Sequence, residues 1–222
     1  MKRTVKLLSI AALAGLTLAP AAHAEGFDVG ADVVSRYVWR GTQFGDGIAA
    51  QPWLSYTFPG IGVEVGAWGS FEIDNDDNNE IDLYVTVPAG NFSFTLTDYY
   101  FPTLIPGNDY FNYGDDDAHV LEASIGYEYD KFSLLAAYNL LGNECFNTDN
   151  ALYVEAGYNF YDKDGYSASV FVGGGNEVYT TDGDFDIVNV GVSVSKDIFN
   201  ASYIVNPDLE EAFFVVGVTL QP

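Results

Sequence analysis

The feature that most limits what this chain can become is a two-residue rhythm running almost without pause from residue 27 to residue 220. In the first stretch Phe27, Val29, Ala31, Val33, Tyr37 and Trp39 alternate with Asp28, Gly30, Asp32, Arg36 and Arg40. Later Ile61, Val63, Val65, Ala67, Phe71 and Ile73 alternate with Glu64, Trp68, Ser70 and Glu72. Ile81, Leu83, Val85 and Val87 are then set against Glu80, Asp82, Tyr84 and Thr86. A period of two places all the apolar side chains on one face of a β-strand. Twelve such segments can be counted, over 27–40, 48–58, 61–73, 80–88, 91–101, 118–129, 132–141, 150–161, 165–173, 185–195, 198–205 and 211–220. The fifth loses its phase between Leu96 and Tyr99, which predicts a β-bulge there.

The connections turn a list of strands into an architecture. After even-numbered segments they are short: Pro59-Gly60, Ala89-Gly90, Asp130-Lys131, Asp162 to Gly165, and Lys196-Asp197. After odd-numbered segments they are longer, at 41–47, 74–79, 102–117, 142–149, 174–184 and 206–210. Short turns at one end and long loops at the other are the arrangement of an outer-membrane barrel, whose turns face the periplasm. The expected fold is therefore all-β, an antiparallel up-and-down transmembrane β-barrel of about twelve strands. Charge sorts by the same parity. Lys131, Lys163 and Lys196 all sit in short turns, while 15 of the 32 acidic residues fall in the long loops. Aromatic residues mark many strand ends, among them Trp39, Phe58, Phe71, Tyr129, Phe132, Phe160, Tyr161, Tyr166 and Phe199. Such rings form the girdles at a membrane interface.

The N-terminus has the form of a secretory signal. Lys2, Arg3 and Lys6 precede an apolar run from Leu7 to Leu18, and Ala22-His23-Ala24 offers the small-x-small cleavage pattern. The expected division is a signal peptide over 1–24 and one outer-membrane barrel domain over 25–222. Removing the signal leaves five basic against 32 acidic residues, a formal charge of −27. That surface repels nucleic acid and anionic solutes and attracts cations. At 16% aromatic residues the chain is not an acidic disordered polymer. The single Cys145 excludes an intramolecular disulfide.

Two stretches resemble a known family. Ser35-x-Tyr37-x-x-Arg40-Gly41 with Gln51-Pro52, followed by Gly66-Ala67-Trp68-Gly69-Ser70 and Glu80-Ile81-Asp82-Leu83-Tyr84, is similar to the opening of the TorF-type porins. Thr97-Asp98-Tyr99-Tyr100-Phe101-Pro102 resembles the Tyr-rich strand that follows there. The resemblance covers about the first 80 residues after the signal and implies an outer-membrane barrel of porin function, with no assigned substrate or catalytic residues to carry over. Outer-membrane barrels usually finish on an aromatic residue, whereas this chain finishes Thr219-Leu220-Gln221-Pro222.

If the apolar faces meet lipid, the others line a lumen. The pore-lining candidates are Asp32, Arg36, Arg40, Glu64, Trp68, Glu72, Asp82, Tyr84, Glu122 and Glu155, with Trp53, Tyr153 and Asn159 on the same face. A carboxylate-rich lumen predicts passive diffusion of small hydrophilic solutes, favouring cations or neutral molecules. The alternative is a closed lumen in which Arg36 and Arg40 pair with Asp32 or Glu64, giving a non-conducting structural or surface-adhesion barrel. A third reading, a barrel lipid hydrolase, rests on His119, the one histidine after the signal. His119 shares parity with Leu121, Ala123 and Ile125, which places it outward near the membrane rim and away from a serine.

Asp74-x-Asp76-x-Asn78-x-Glu80 spaces oxygen ligands alternately but lacks the glycine and distant glutamate of a calcium-binding helix-loop-helix. Asp115-Asp116-Asp117 could recruit divalent ions bridging to lipopolysaccharide phosphates; for both, a solvated acidic loop is the plainer reading. Gly173-Gly174-Gly175 lacks the following lysine of a phosphate loop. Expected partners are outer-membrane lipid, lipopolysaccharide, the barrel-assembly machinery and small solutes or cations, with nucleic acid disfavoured. The acidity has a second explanation, adaptation of exposed loops to a saline habitat.

Overall fold

The computed structural model describes residues 25–75, 78–103, 110–113, 118–142 and 147–222. Where side chains alternate in character the backbone is extended, and strands follow the rhythm closely. They are β1 (Gly26–Val34), β2 (Tyr37–Trp39), β3 (Thr42–Phe44), β4 (Ala49–Thr57), β5 (Glu64–Glu72), β6 (Glu80–Ala89) and β7 (Phe92–Tyr100). After these come β8 (His119–Tyr129), β9 (Phe132–Leu141), β10 (Leu152–Lys163), β11 (Tyr166–Gly175), β12 (Asp186–Lys196), β13 (Phe199–Asn206) and β14 (Glu211–Leu220). Among the described residues, twelve of these strands form one closed barrel in which β1 joins β14 on one side and β4 on the other. Closure leaves no strand edge with unpaired backbone groups. The connections keep their parity: β6 to β7 turns on two residues, while β7 and β8 are separated by the stretch 101–118.

The burial pattern is the reverse of a water-soluble protein's. On β7, Ser93, Thr95 and Thr97 are 5%, 5% and 2% exposed, while Phe92, Phe94 and Leu96 between them are 42%, 47% and 40% exposed. On this strand the small polar side chains point into the barrel and the apolar ones away from it. The walls are close enough inside that several ring–backbone approaches require glycine. A Cβ on Gly66 would overlap the Tyr84 ring, and one on Gly173 the ring of Tyr153.

Three expectations are corrected. The first segment is not one strand over 27–40: β1 stops at Val34, and β2 and β3 form a separate hairpin. Its turn residues, Arg40 at φ 50° and Gly41 at φ 83°, share the positive-φ signature of the Asp164-Gly165 turn between β10 and β11. The fifth segment has no bulge either, since Leu96, Thr97, Asp98 and Tyr99 pair in unbroken register with β6 and β8. What looked like lost phase is a carboxylate, Asp98, on the outer face opposite an aromatic ring, Tyr99, on the inner one. The register shifts lie elsewhere, at Leu121/Glu122, Asn159/Tyr161 and Gly173/Gly174. The last of them leaves Val188 fully buried against Tyr153 and Tyr179, where simple alternation has it facing out with Val190 and Val192.

Candidate functional site in the barrel lumen

The hairpin does not project from the barrel; it folds into it. Tyr37, Val38 and Arg40 are 7%, 1% and 6% exposed. Tyr37 and Val38 pack with Val34, Ala49, Ile204, Phe213 and Val215, against Trp68 and Phe171 of the wall. The ring of Trp39 meets Tyr99 at 5.7 Å and Tyr179 at 5.7 Å between centroids. Tyr179 belongs to a short 3₁₀ turn, Glu177–Tyr179, in the connection between β11 and β12. Two connections from opposite parts of the sequence thus meet inside the loop end of the lumen.

Arg40 at the hairpin tip holds them together. Its Nη1 and Nη2 donate to the two Glu122 oxygens at 2.5 and 2.9 Å, a bidentate pair, and Nη1 also donates to the Tyr179 hydroxyl at 2.5 Å. The guanidinium lies 4.3 Å from the Trp39 ring centre and 4.6 Å from that of Tyr153. Burial opposes its charge most, but Glu122, Tyr179 and Tyr99 together overcome that and raise the arginine pKa. Burial, partly offset by Arg40, pushes the Tyr179 phenol up to about 12. Asn206 Nδ2 donates to the Gly41 carbonyl at 3.1 Å, and a side chain at Gly41 would overlap the Val188 carbonyl. The tip is wedged as well as bonded.

The ten candidate residues all lie on the inner face or on the hairpin within it. Asp32 accepts from the Thr219 hydroxyl at 2.6 Å, and Glu64 from Tyr84 at 2.9 Å and Thr57 at 3.4 Å. Arg36 reaches Gln43 across the hairpin at 3.0 Å. The alternative closed-lumen reading paired Arg36 and Arg40 with Asp32 or Glu64; the structure pairs Arg40 with Glu122. Trp68 packs on Tyr37 at 5.6 Å, and Glu72 at the rim accepts the Gly47 amide. Glu155 accepts from Tyr153 at 2.5 Å and Asn189 at 2.9 Å, while Asp82 is 1% exposed. Towards the short turns the inner face carries small hydroxyls, among them the pairs Thr86–Thr95 at 2.8 Å and Ser193–Ser202 at 2.7 Å.

Sequence reasoning missed Tyr37, Tyr99, Tyr179 and Asn206 as lumen residues. The signal that could have found the hairpin was Arg40-Gly41 itself, a turn dipeptide between Tyr37/Trp39 and Thr42/Phe44. The acidic loop also parts company with its expected pattern. Glu80 is buried at 3% exposure whereas Asp74 is exposed, and Asp76 lies outside the described residues, as do Asp115 to Asp117 and the signal segment.

His119 has outward parity but is only 4% exposed, because Tyr110 and Tyr113 fold over it. Nδ1 faces Asp98 Oδ1 at 2.7 Å. Nε2, the nitrogen a hydrolase would turn to its serine, faces the Tyr110 carbonyl at 2.8 Å. The arrangement is that of a loop anchor.

A family model described as "Bacterial protein of unknown function (Gcw_chp)" matches residues 19–218. The chain belongs to this family. No curated protein matches this Gcw_chp member in sequence. Among solved structures it is similar to a mutant of Rh. blastica porin, at 13% identity and a TM-score of 0.40, covering 89% of this chain and 98% of that one. It is also similar to Pseudomonas aeruginosa OccK9 (OpdG), at 14% identity and a TM-score of 0.39, covering 91% of this chain and 65% of the other.

Proposed function

We propose that this Gcw_chp barrel is an outer-membrane channel of narrow bore for passive diffusion of small hydrophilic solutes. The observation that carries the reading is the inverted burial around a closed barrel, with exposed Phe94 and Leu96 beside buried Thr95 and Thr97. Large apolar side chains left in water forgo roughly 1.5–3 kcal/mol each, so a belt of them calls for an apolar surround. A signal peptide over 1–24, the lysine-bearing turns and the TorF-type motifs between Ser35 and Pro102 agree with export to the outer membrane.

The lining favours a preference for cations or neutral solutes as part of this reading. Asp32, Glu64, Glu80, Asp82 and Glu122 are buried on the inner face, and the Arg40 guanidinium buried among them is committed to Glu122. Such a lumen repels anions at close range. Purified protein in a planar bilayer should give stepwise currents whose reversal potential in a salt gradient has the sign of cation preference. A reversal potential near zero would leave the acids as adaptation to a saline habitat.

The hairpin itself favours a second reading. It fills the loop end of the lumen with apolar contacts around Val38 and Trp39, as a structural or adhesive barrel without conductance would. Silence at high protein, in bilayers where another channel conducts, supports that reading and overturns the first.

A further inference from the structure

Beside the Arg40–Glu122 pair lies a second set of lumen carboxylates whose counter-charge the chain does not provide. Glu80 and Asp82 are two residues apart on β6, both on the inner face, at 3% and 1% exposure. Each lies close enough to act on the other, and Tyr37 of the plugging hairpin lies beside Glu80. Asp82 Oδ1 is buried with no hydrogen-bond partner. Around the pair stand Tyr99 of β7, across from Asp82 in register, Ser70 of β5, across from Glu80, and Glu122 of β8.

The inventory of cations is short. After the signal the chain has five basic residues: Arg36, Arg40, Lys131, Lys163 and Lys196. Lys163 and Lys196 lie at the turn end against Asp164 and Asp197, Lys131 shares that end, and Arg40 is bound to Glu122. Arg36 donates to Gln43. Two carboxylates within reach of each other in a buried space cannot both remain bare, because unpaired buried charge is expensive. A proton or a cation must lie between them.

We propose that Glu80 and Asp82, with the Tyr37 hydroxyl beside them, form a binding site for a hard cation in the constricted half of the lumen. The donors are all oxygen, the class that hard cations such as Ca²⁺ prefer. Two carboxylates and a phenol fall short of a closed metal cage. The site therefore suits a cation in transit, held firmly enough to enter and loosely enough to leave. The inference deepens the channel reading above and rests on it for its purpose, not for its geometry.

Terbium is the probe, because it takes calcium-type oxygen ligands and its emission is sensitised by nearby aromatic rings such as Tyr37, Tyr99 and Trp68. Folded barrel in detergent should show sensitised emission that Ca²⁺ displaces. The isosteric Glu80→Gln/Asp82→Asn variant should weaken that binding by about tenfold or more. A loop variant, Asp182→Asn/Asp184→Asn, should leave it unchanged. Heat-modifiable gel mobility establishes that both variants are folded. Should the variant of Glu80 and Asp82 fail to fold, Asp82→Asn alone is the fallback and carries the same expectation.

Wild-type protein without sensitised emission, or a folded lumen variant that binds terbium as wild type does, overturns the site and leaves a shared proton in its place. Bilayer recordings separate this from the channel reading. Conducting wild type whose cation preference survives the Glu80/Asp82 substitutions refutes the site in transport while the channel stands. Terbium bound at the site in a silent barrel refutes the channel while the site stands.

Discussion

Arg40 sits at a point where several costs have to cancel. A guanidinium at 6% exposure loses most of its hydration, and what replaces it is a bidentate carboxylate, a phenol oxygen and three ring faces. Removing one partner of such a pair leaves the other charged and alone. Arg40→Ala should therefore destabilise the barrel by about 3–5 kcal/mol, read from urea unfolding in lipid or detergent. Glu122→Gln should cost less, since it can still accept from Arg40. Tyr179 adds a dependence on pH with a definite sign. Its phenol has an ordinary value of 10.0 and is pushed up to about 12 in the fold, first by burial. A pKa raised by folding gives stability that is full below pH 10 and is lost as the pH rises through about 12. Alkaline unfolding of wild type should show that loss, and Tyr179→Phe should flatten it; equal slopes would remove Tyr179 from the account.

At the scale of elements, the hairpin is the part the sequence hid. Tyr37 and Trp39 keep the phase of Phe27 to Val33, so nothing in the pattern marks the place where β1 leaves the wall. The rhythm reports which side chains share a face, not whether that face belongs to the wall or to an insert. Connection parity was legible, because loop length depends only on which end of the barrel a chain reversal occupies. Asp98 misled for a different reason. It is an outer-face acid made tolerable by His119 and Tyr113, and the latter's hydroxyl donates to it at 2.9 Å across a fold of loop that alternation cannot foresee. The hairpin also gives the most direct test of plugging. Gly41→Val meets the Val188 carbonyl and a φ of 83° that a β-branched residue resists. It should drive the tip out of the lumen and raise single-channel conductance several-fold over wild type in the same bilayers. Unchanged conductance in a folded Gly41→Val barrel would mean that the hairpin does not obstruct the path.

For the whole molecule, the sorting of charge by end makes a statement about orientation. Lys131, Lys163 and Lys196 lie at the short-turn end, and acids crowd the other. If the turns face the periplasm, a membrane-impermeant amine reagent should leave lysines unmodified in intact cells and label Lys131, Lys163 and Lys196 once the outer membrane is breached. Labelling of all three in intact cells would invert the barrel. The fold class was readable at this scale because alternation, turn length and charge are three separate constraints with one common solution. The interior was not, since the meeting of Arg40 with Glu122 joins residues 82 positions apart through an insert that no periodicity records.

The joint that closes the ring has a consequence for how the molecule holds together. β1 is matched to β4 over nine residue pairs but to β14 over only four, Ala31 to Val34 against Leu220 to Gly217. Immediately beyond those four, the Ser35 amide donates to the Val216 carbonyl and the Ser35 hydroxyl accepts from the Val216 amide. The stem of the hairpin is therefore stitched into the seam between the first strand and the last. Closure of the wall and seating of the insert thus share the same few hydrogen bonds, so a break in that joint should loosen both.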